Sequence, residues 1–283
     1  MAKSEVKVEK ARELGFCFGV RRAIKMIQEA AGEHQGITTL GPIVHNRLVV
    51  DKLADMGIKV VNGLDQLQDK SIAISSHGVS PQLLSQIEDR RLQVIDTTCP
   101  NVRSAQQAIK ELIEAGFGVV IFGDANHPEV KGLLGWADRK AVATLNGKEL
   151  TDASLPKKLG ILSQTTQSRL QFAEFVREVI SLVFPRVQEI RIVNTLCEET
   201  QKRQAAALEL AEKSDLMIVV GGRNSANTRR LAEICSSIVE THLIETAAEI
   251  EDSWLVGKKH IGVTAGASTP DEAIEEVVAR LKQ

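Results

Sequence analysis

The chain has 283 residues, of which 43% are hydrophobic and 25% charged, and its formal net charge is -2. These values exclude a disordered chain, give no basis for coating nucleic acid, and suit a soluble protein of two or three compact units. The opening "MAKSEVKVEKARE" lacks the apolar run of a signal peptide, and no later run nears the ~18 residues of a membrane span, so a cytoplasmic protein with no membrane partner is expected.

In chain order, short runs rich in Val and Ile recur: "KVEKA", "ITTLG", "SIAIS" and "LQVID", then "GVVIFG", "AVATL", "LGILS" and "IRIVN", then "DLMIVVG", "THLIE" and "HIGVTAG". Their continuity predicts strands buried on both faces. Most are followed by a small polar loop and a segment with apolar residues at 3.6-residue spacing, as in "NVRSAQQAIKELIEAG" and "TPDEAIEEVVARLKQ". Strand, loop and helix in alternation predict an α/β fold with largely parallel sheets.

Cysteines divide this alternation. Cys17, Cys99, Cys197 and Cys235 lie far apart with no CxxC clip, which excludes zinc-ribbon and common ferredoxin spacings. The first three, in "LGFCFGV", "IDTTCPN" and "VNTLCEE", each sit between the end of a strand and the start of a helix. His45, His127 and Ser225 each follow their cysteine by 28 residues, and each unit then has a further short strand and a second strand ending in a polar loop: "SSHGVS", "SQTTQS" and "AGASTP". The chain therefore reads as three α/β modules related by pseudo-threefold symmetry. They are expected at 14–96 with Cys17, 97–193 with Cys99 and 194–283 with Cys197, the N-terminal strand 1–13 joining the third sheet. Ligands of parallel sheets bind at the carboxyl ends of the strands, where all these loops lie. Modules facing a common axis would bring three thiols together, with six polar loops around them.

A single buried cysteine is ordinarily a small core residue. Three at equivalent helix starts, where the thiolate is favoured, point instead to a metal site. Zinc closed by a histidine would leave the ring of polar loops without a purpose. A 4Fe-4S cluster held by three cysteines leaves one open iron that can act as a Lewis acid toward a substrate oxygen. Cys235, inside "RRLAEICSSIVE", reads as core packing, and Phe16 and Phe18 read as a water shield around Cys17.

In "NHPEV", His127 and Glu129 flank Pro128. Glu129 is either a first-turn acid favoured by the helix dipole or a proton donor to a departing group, and its place in the ring of loops favours the donor. Thr165 and Thr166 in "SQTT" either form a turn or hydrogen-bond a hydroxyl and orient that acid. His45, His77, Ser225, Asn227 and Ser268 are donors beside glycine-rich backbone, suited to a small phosphate or diphosphate. No GxxxxGKS motif is present, so a nucleoside triphosphate lacks its signature.

In order and spacing, "GFCFGVRRA", "GPIVHN", "SSHGVS", "DTTCP", "NHPEV", "SQTT", "NTLC" with "RQ" following, "NSAN" and "AGAST" resemble the 4-hydroxy-3-methylbut-2-enyl diphosphate reductases, the LytB or IspH family. The resemblance implies a cloverleaf of three α/β domains around a 4Fe-4S cluster ligated by Cys17, Cys99 and Cys197, with one open iron. It implies the last step of the methylerythritol phosphate route. An allylic hydroxyl is removed with two electrons and two protons, giving isopentenyl and dimethylallyl diphosphate plus water, with reduced ferredoxin or flavodoxin as donor. By the same resemblance Glu129 relays the proton and Thr165 hydrogen-bonds both the substrate hydroxyl and Glu129. His45, His77, His127, Ser225, Asn227 and Ser268 hold the diphosphate, and His127 also serves proton delivery. The chain departs from the family pattern at Ala226, where many relatives have a second serine, at Glu199 in "CEET", and in "CPNVRSAQ", which lacks the usual lysine and histidine. Two other classes fit the residues taken alone: a non-redox cluster hydratase or dehydratase acting on a small phosphorylated substrate, and a zinc protein that binds such a ligand without chemistry.

Overall fold

The structure is a computed structural model and describes residues 6–33, 36–151 and 154–283. Residues 1–5 of the expected N-terminal strand lie outside the described residues. In chain order the first elements are β1 (Lys7–Lys10), α1 (Phe18–Glu33), β2 (Ile37–Leu40), α2 (Arg47–Asp55), β3 (Ile58–Val61), β4 (Ser71–Ile74), α3 (Pro81–Asp89) and β5 (Gln93–Asp96). Next come α4 (Pro100–Glu114), β6 (Gly118–Phe122), α5 (Pro128–Trp136), β7 (Ala141–Thr144), β8 (Lys158–Ser163), α6 (Arg169–Val183) and β9 (Glu189–Ile192). The chain ends with α7 (Glu198–Ala211), β10 (Leu216–Val220), α8 (Ala226–Ser236), β11 (Thr241–Ile244), α9 (Asp252–Leu255), β12 (His260–Ala265) and α10 (Asp271–Leu281).

The strands form three four-stranded sheets in the orders β3-β2-β4-β5, β7-β6-β8-β9 and β11-β10-β12-β1. Every pairing is parallel. The three sheets have one topology, and in the third the N-terminal β1 takes the place that β5 and β9 hold in the others. Central strands β4, β6 and β10 are buried throughout, as continuous apolar runs require, whereas the edge strand β3 exposes Lys59 and Val60. That lysine breaks the apolar run "IKVV", so β3 is not marked by an apolar run of its own, and it is the repeat that calls for a short strand between the His45 loop and β4.

The helices that follow the cysteines share one burial register. Counted from the cysteine, the third, sixth, tenth and thirteenth residues are buried in each: Val20, Ala23, Ile27 and Ala30; Val102, Ala105, Ile109 and Leu112; Thr200, Arg203, Ala207 and Leu210. This i, i+3, i+7, i+10 stripe is the core-facing side of an amphipathic helix. Proline at the first turn of α3, α4 and α5 presets the backbone where no intrahelical N–H bond is lost.

By compactness the chain divides into two units: Met1–Arg21 (described from residue 6) with Val44–Met56 and Glu198–Gln283, and Arg22–Ile43 with Gly57–Cys197. The first contains the sheet of β1, β10, β11 and β12, the second the other two sheets. Among the described residues no helix is long and apolar enough to cross a membrane.

Candidate functional site

Each of the three repeated cysteines follows the fourth strand of a sheet and is tied to the loop after the third strand of that same sheet. The N–H of Cys17 donates to the Ala267 carbonyl at 3.0 Å, that of Cys99 to Ser76 at 3.0 Å, and that of Cys197 to Thr165 at 2.8 Å. The sequence repeat is thus carried down to single hydrogen bonds. All three thiols are half-buried and free of disulfides. The Sγ of Cys17 accepts from the N–H of Val20, in the first turn of α1, at 3.4 Å. In the larger unit, Cys197 Sγ accepts from Asn101 Nδ2 at 3.1 Å, and Asn101 is the second residue of α4, whose N-cap is Cys99. Cys197 is therefore brought to the helix end that carries Cys99. Soft sulfur ligands, partial exposure and N–H donors aimed at sulfur are what a thiolate-held iron-sulfur cluster requires, and this donor set fits one. Asn101 was not among the residues read from sequence; its one signal was its place two residues after Cys99.

Cys235 is fully buried among Ala207, Leu210, Met217 and Leu231, and burial pushes its thiol up to about 12. This inert thiol is the core residue expected from sequence. Phe18 corrects an expectation. It is 62% exposed on the first turn of α1, whereas Phe16 is half-buried, so Phe18 does not cover the cysteine beside it.

In the larger unit, the loops after β4, β6 and β8 gather His77, His127, Glu129 and Thr165. Glu129 opens α5 and is 2% exposed. Its Oε1 accepts the backbone N–H of Thr165 at 2.7 Å and its Oε2 accepts the Thr165 hydroxyl at 3.0 Å. Burial raises its pKa to about 7 against the opposing effect of both Thr165 bonds. A carboxyl that burial holds half-protonated near neutrality, positioned at both oxygens by a single threonine, is equipped to give up a proton. His127 caps the same helix: its Nδ1 accepts the Glu129 N–H at 3.2 Å, which leaves the ring proton on Nε2. The His77 ring meets the His127 ring edge-on with centroids 5.4 Å apart, and Ser75 Oγ lies 3.4 Å from His77 Nδ1. Gly78, at φ 69°, turns the chain directly after His77; a side chain there would strike Gln106 and Thr98. Thr166 Oγ1 accepts from Gln164 Nε2 at 3.2 Å, so the second threonine secures the loop while the first faces the acid.

The smaller unit holds His45, Ser225, Asn227 and Ser268. Burial, and then the charge of Arg229, lower the pKa of His45 and favour its neutral form. Ser225 caps α8 by accepting the N–H of Thr228 at 3.3 Å, which leaves its hydroxyl proton available to a ligand. Asn227 is 6% exposed, and both its amide nitrogen and its oxygen lack a protein partner among the described residues. Such a side chain is expensive to bury unless a ligand satisfies it. Ser268 is buried beside Thr269, whose hydroxyl donates to the Val220 carbonyl at 2.9 Å and ties this loop to the end of β10. Ala226 begins α8 between Ser225 and Asn227 and offers no side-chain donor.

The family model for the LytB protein matches residues 8–282. The chain belongs to this family. It is 50% identical over 277 residues to the 4-hydroxy-3-methylbut-2-enyl diphosphate reductase of Dehalococcoides mccartyi strain CBDB1, covering 98% of each chain. It is 46% identical over 277 residues to the enzyme of that name from Pelobacter propionicus, again over 98% of each. Among solved structures, the E-1-hydroxy-2-methyl-but-2-enyl-4-diphosphate reductase from Plasmodium falciparum matches with a TM-score of 0.93 and 28% identity, over 99% of this chain and 89% of that one. A structure described as (E)-4-hydroxy-3-methyl-but-2-enyl diphosphate reductase, the terminal enzyme of the non-mevalonate pathway, matches with a TM-score of 0.71 and 38% identity, over 98% and 99%. The LytB family membership and these likenesses agree with the three like parallel sheets.

Proposed function

We propose that the chain reduces (E)-4-hydroxy-3-methylbut-2-enyl diphosphate to isopentenyl and dimethylallyl diphosphate, as the terminal enzyme of the non-mevalonate route. The observation that carries the chemistry is the Glu129–Thr165 pair: a buried acid with a pKa near 7, gripped at both oxygens by one threonine. The balance is one C–O bond broken, one C–H bond formed, two electrons and two protons consumed and one water released.

Cys17, Cys99 and Cys197 are the residues that would hold a 4Fe-4S cluster. When bound, that group supplies electrons one at a time and, at the iron without a protein ligand, a Lewis acid. The rest falls to side chains. In this reading Glu129, when protonated, donates to the Thr165 hydroxyl, which gives up its own proton to the substrate hydroxyl, so the leaving oxygen departs as water. His45, His77 and His127, with Ser225, Asn227 and Ser268, donate to the diphosphate oxygens, and the orphaned amide of Asn227 supports this role. The Nδ1 of His127 is occupied by the Glu129 N–H, which supports a role for its Nε2 in holding the diphosphate or delivering a proton. The modules remain assigned to 14–96, 97–193 and 194–283. Reduced ferredoxin or flavodoxin is the proposed donor, in a cytoplasmic setting.

Anaerobically purified protein is expected to be brown and to form both products when given the allylic diphosphate and a one-electron reductant. Cys99→Ser removes colour and turnover together. A colourless protein with full turnover would refute the assignment.

A further inference from the structure

Arg203 breaks the threefold pattern. The buried stripe of the helix after each cysteine has its second position at Ala23 in α1 and Ala105 in α4, both fully buried small residues. In α7 the equivalent position is Arg203, only 3% exposed. Arginine keeps its charge in essentially any protein setting, and burying it among apolar neighbours carries a desolvation penalty, so an alanine is the cheaper occupant. The guanidinium is also incompletely satisfied. Its Nη1 donates to the Ala265 carbonyl at 3.3 Å, while Nε has no protein partner among the described residues.

That anchor lies where the first cysteine is anchored. Ala265 ends β12, and two residues later Ala267 accepts the N–H of Cys17 at 3.0 Å. One three-residue stretch thus holds both the buried cation and Cys17. Burial is the largest influence on Arg203 and disfavours its charge; the nearby charges that favour it are Cys17, then Glu13 and Glu199, with Arg21 opposing. Glu199 stands one helical turn before Arg203, in the orientation that favours an acid–base pair. It is exposed, whereas Glu13 is half-buried.

We propose that Arg203 is a positioning residue for the Cys17 corner of the cluster, a fixed positive charge that raises the cluster's reduction potential, and that Glu199 partly offsets it. The proposal rests on the cluster reading above. Cys17, Cys99 and Cys197 occupy equivalent places, so a cation beside one of them makes the three corners electrostatically unequal. A positive charge stabilises the form carrying the extra electron, and a negative charge opposes it.

The test is an anaerobic redox titration of the loaded protein followed by electron paramagnetic resonance, with iron content and circular dichroism on every variant. Arg203→Gln is expected to shift the one-electron equilibrium toward the oxidised form by about tenfold, a fall of about 59 mV. Arg203→Lys should recover most of that loss, since it keeps the charge. Glu199→Gln should move the potential the opposite way, upward and by less, because it is exposed and screened. A merely structural role for Arg203 would lower iron content or helicity without these opposed shifts. Arg203→Gln protein that loads its cluster and titrates with the wild-type protein overturns the proposal. If Arg203→Gln fails to fold, Glu199→Gln decides: an upward shift supports the proposal and no shift overturns it. Wild-type protein lacking iron and sulfide would instead overturn the cluster reading itself.

Discussion

Glu129→Gln isolates the proton-delivery step. The amide keeps the shape of the acid: its oxygen can still accept the Thr165 N–H, now at 2.7 Å from Oε1, and its NH2 can donate to the Thr165 hydroxyl, now 3.0 Å from Oε2. What it loses is the acidic proton. Removing a positioned general acid lowers turnover by roughly 10²- to 10⁴-fold, or about 3 to 5 kcal/mol of transition-state stabilisation. On the proposed role Glu129 acts in its protonated form, and since its pKa is raised to about 7, turnover should fall about tenfold per pH unit above that value. The variant's residual turnover should lack this limb. The same shift sets a stability dependence. Because the folded pKa is about 7 against an ordinary value of 4.5, the folded chain holds a proton that the unfolded chain releases. The stability associated with that proton is fully present below about 4.5 and is lost as pH rises through about 7. By then the buried carboxylate costs on the order of 3 kcal/mol. Glu129→Gln should therefore be the more stable protein at alkaline pH and the slower one throughout. The assay is steady-state turnover with a chemical one-electron reductant from about pH 5 to about pH 9, with thermal unfolding measured alongside. Wild-type turnover in the variant, or a wild-type profile flat through pH 7, would refute the reasoning.

Thr165→Val removes one of the two bonds that hold the Glu129 pKa down, so the alkaline limb should move to higher pH while turnover drops at least tenfold; this is read from the same profiles. Asn227→Leu should weaken diphosphate binding by about tenfold, about 1.4 kcal/mol, and remove a buried unsatisfied amide; calorimetry with the substrate should show weaker binding in a protein no less stable than wild type. Cys235→Ala should leave iron content unchanged and cost about 1 to 2 kcal/mol of unfolding free energy, whereas Cys99→Ser should lose the iron; metal analysis and denaturant titration separate them.

What could be read from the sequence depended on repetition. One cysteine between phenylalanines favours a core residue, but three at equal distances from a second loop exposed the common module, and the three identical sheets follow from that grammar. β3 could be expected only from the repeat, because an edge strand needs only one apolar face and Lys59 interrupts its run. Phe18 was misread for a related reason: neighbours in sequence at a helix start point to different sides, and its side chain faces solvent. The acid was visible in "NHPEV", yet its pKa was not, because that depends on burial and on Thr165, 36 residues away. Arg203 stands in the "RQ" of the family pattern, but its burial does not show in the sequence: only alignment of the three buried stripes sets it against the alanines at the equivalent positions.

The reductive assignment is tested most directly by counting electrons. Under anaerobic conditions, reductant consumed is titrated against product formed from the allylic diphosphate. The account predicts two electrons per molecule of isopentenyl or dimethylallyl diphosphate, with turnover stopping when the reductant is exhausted. Conversion of the substrate that continues with no reductant consumed would contradict it and point to a hydratase-like reaction instead.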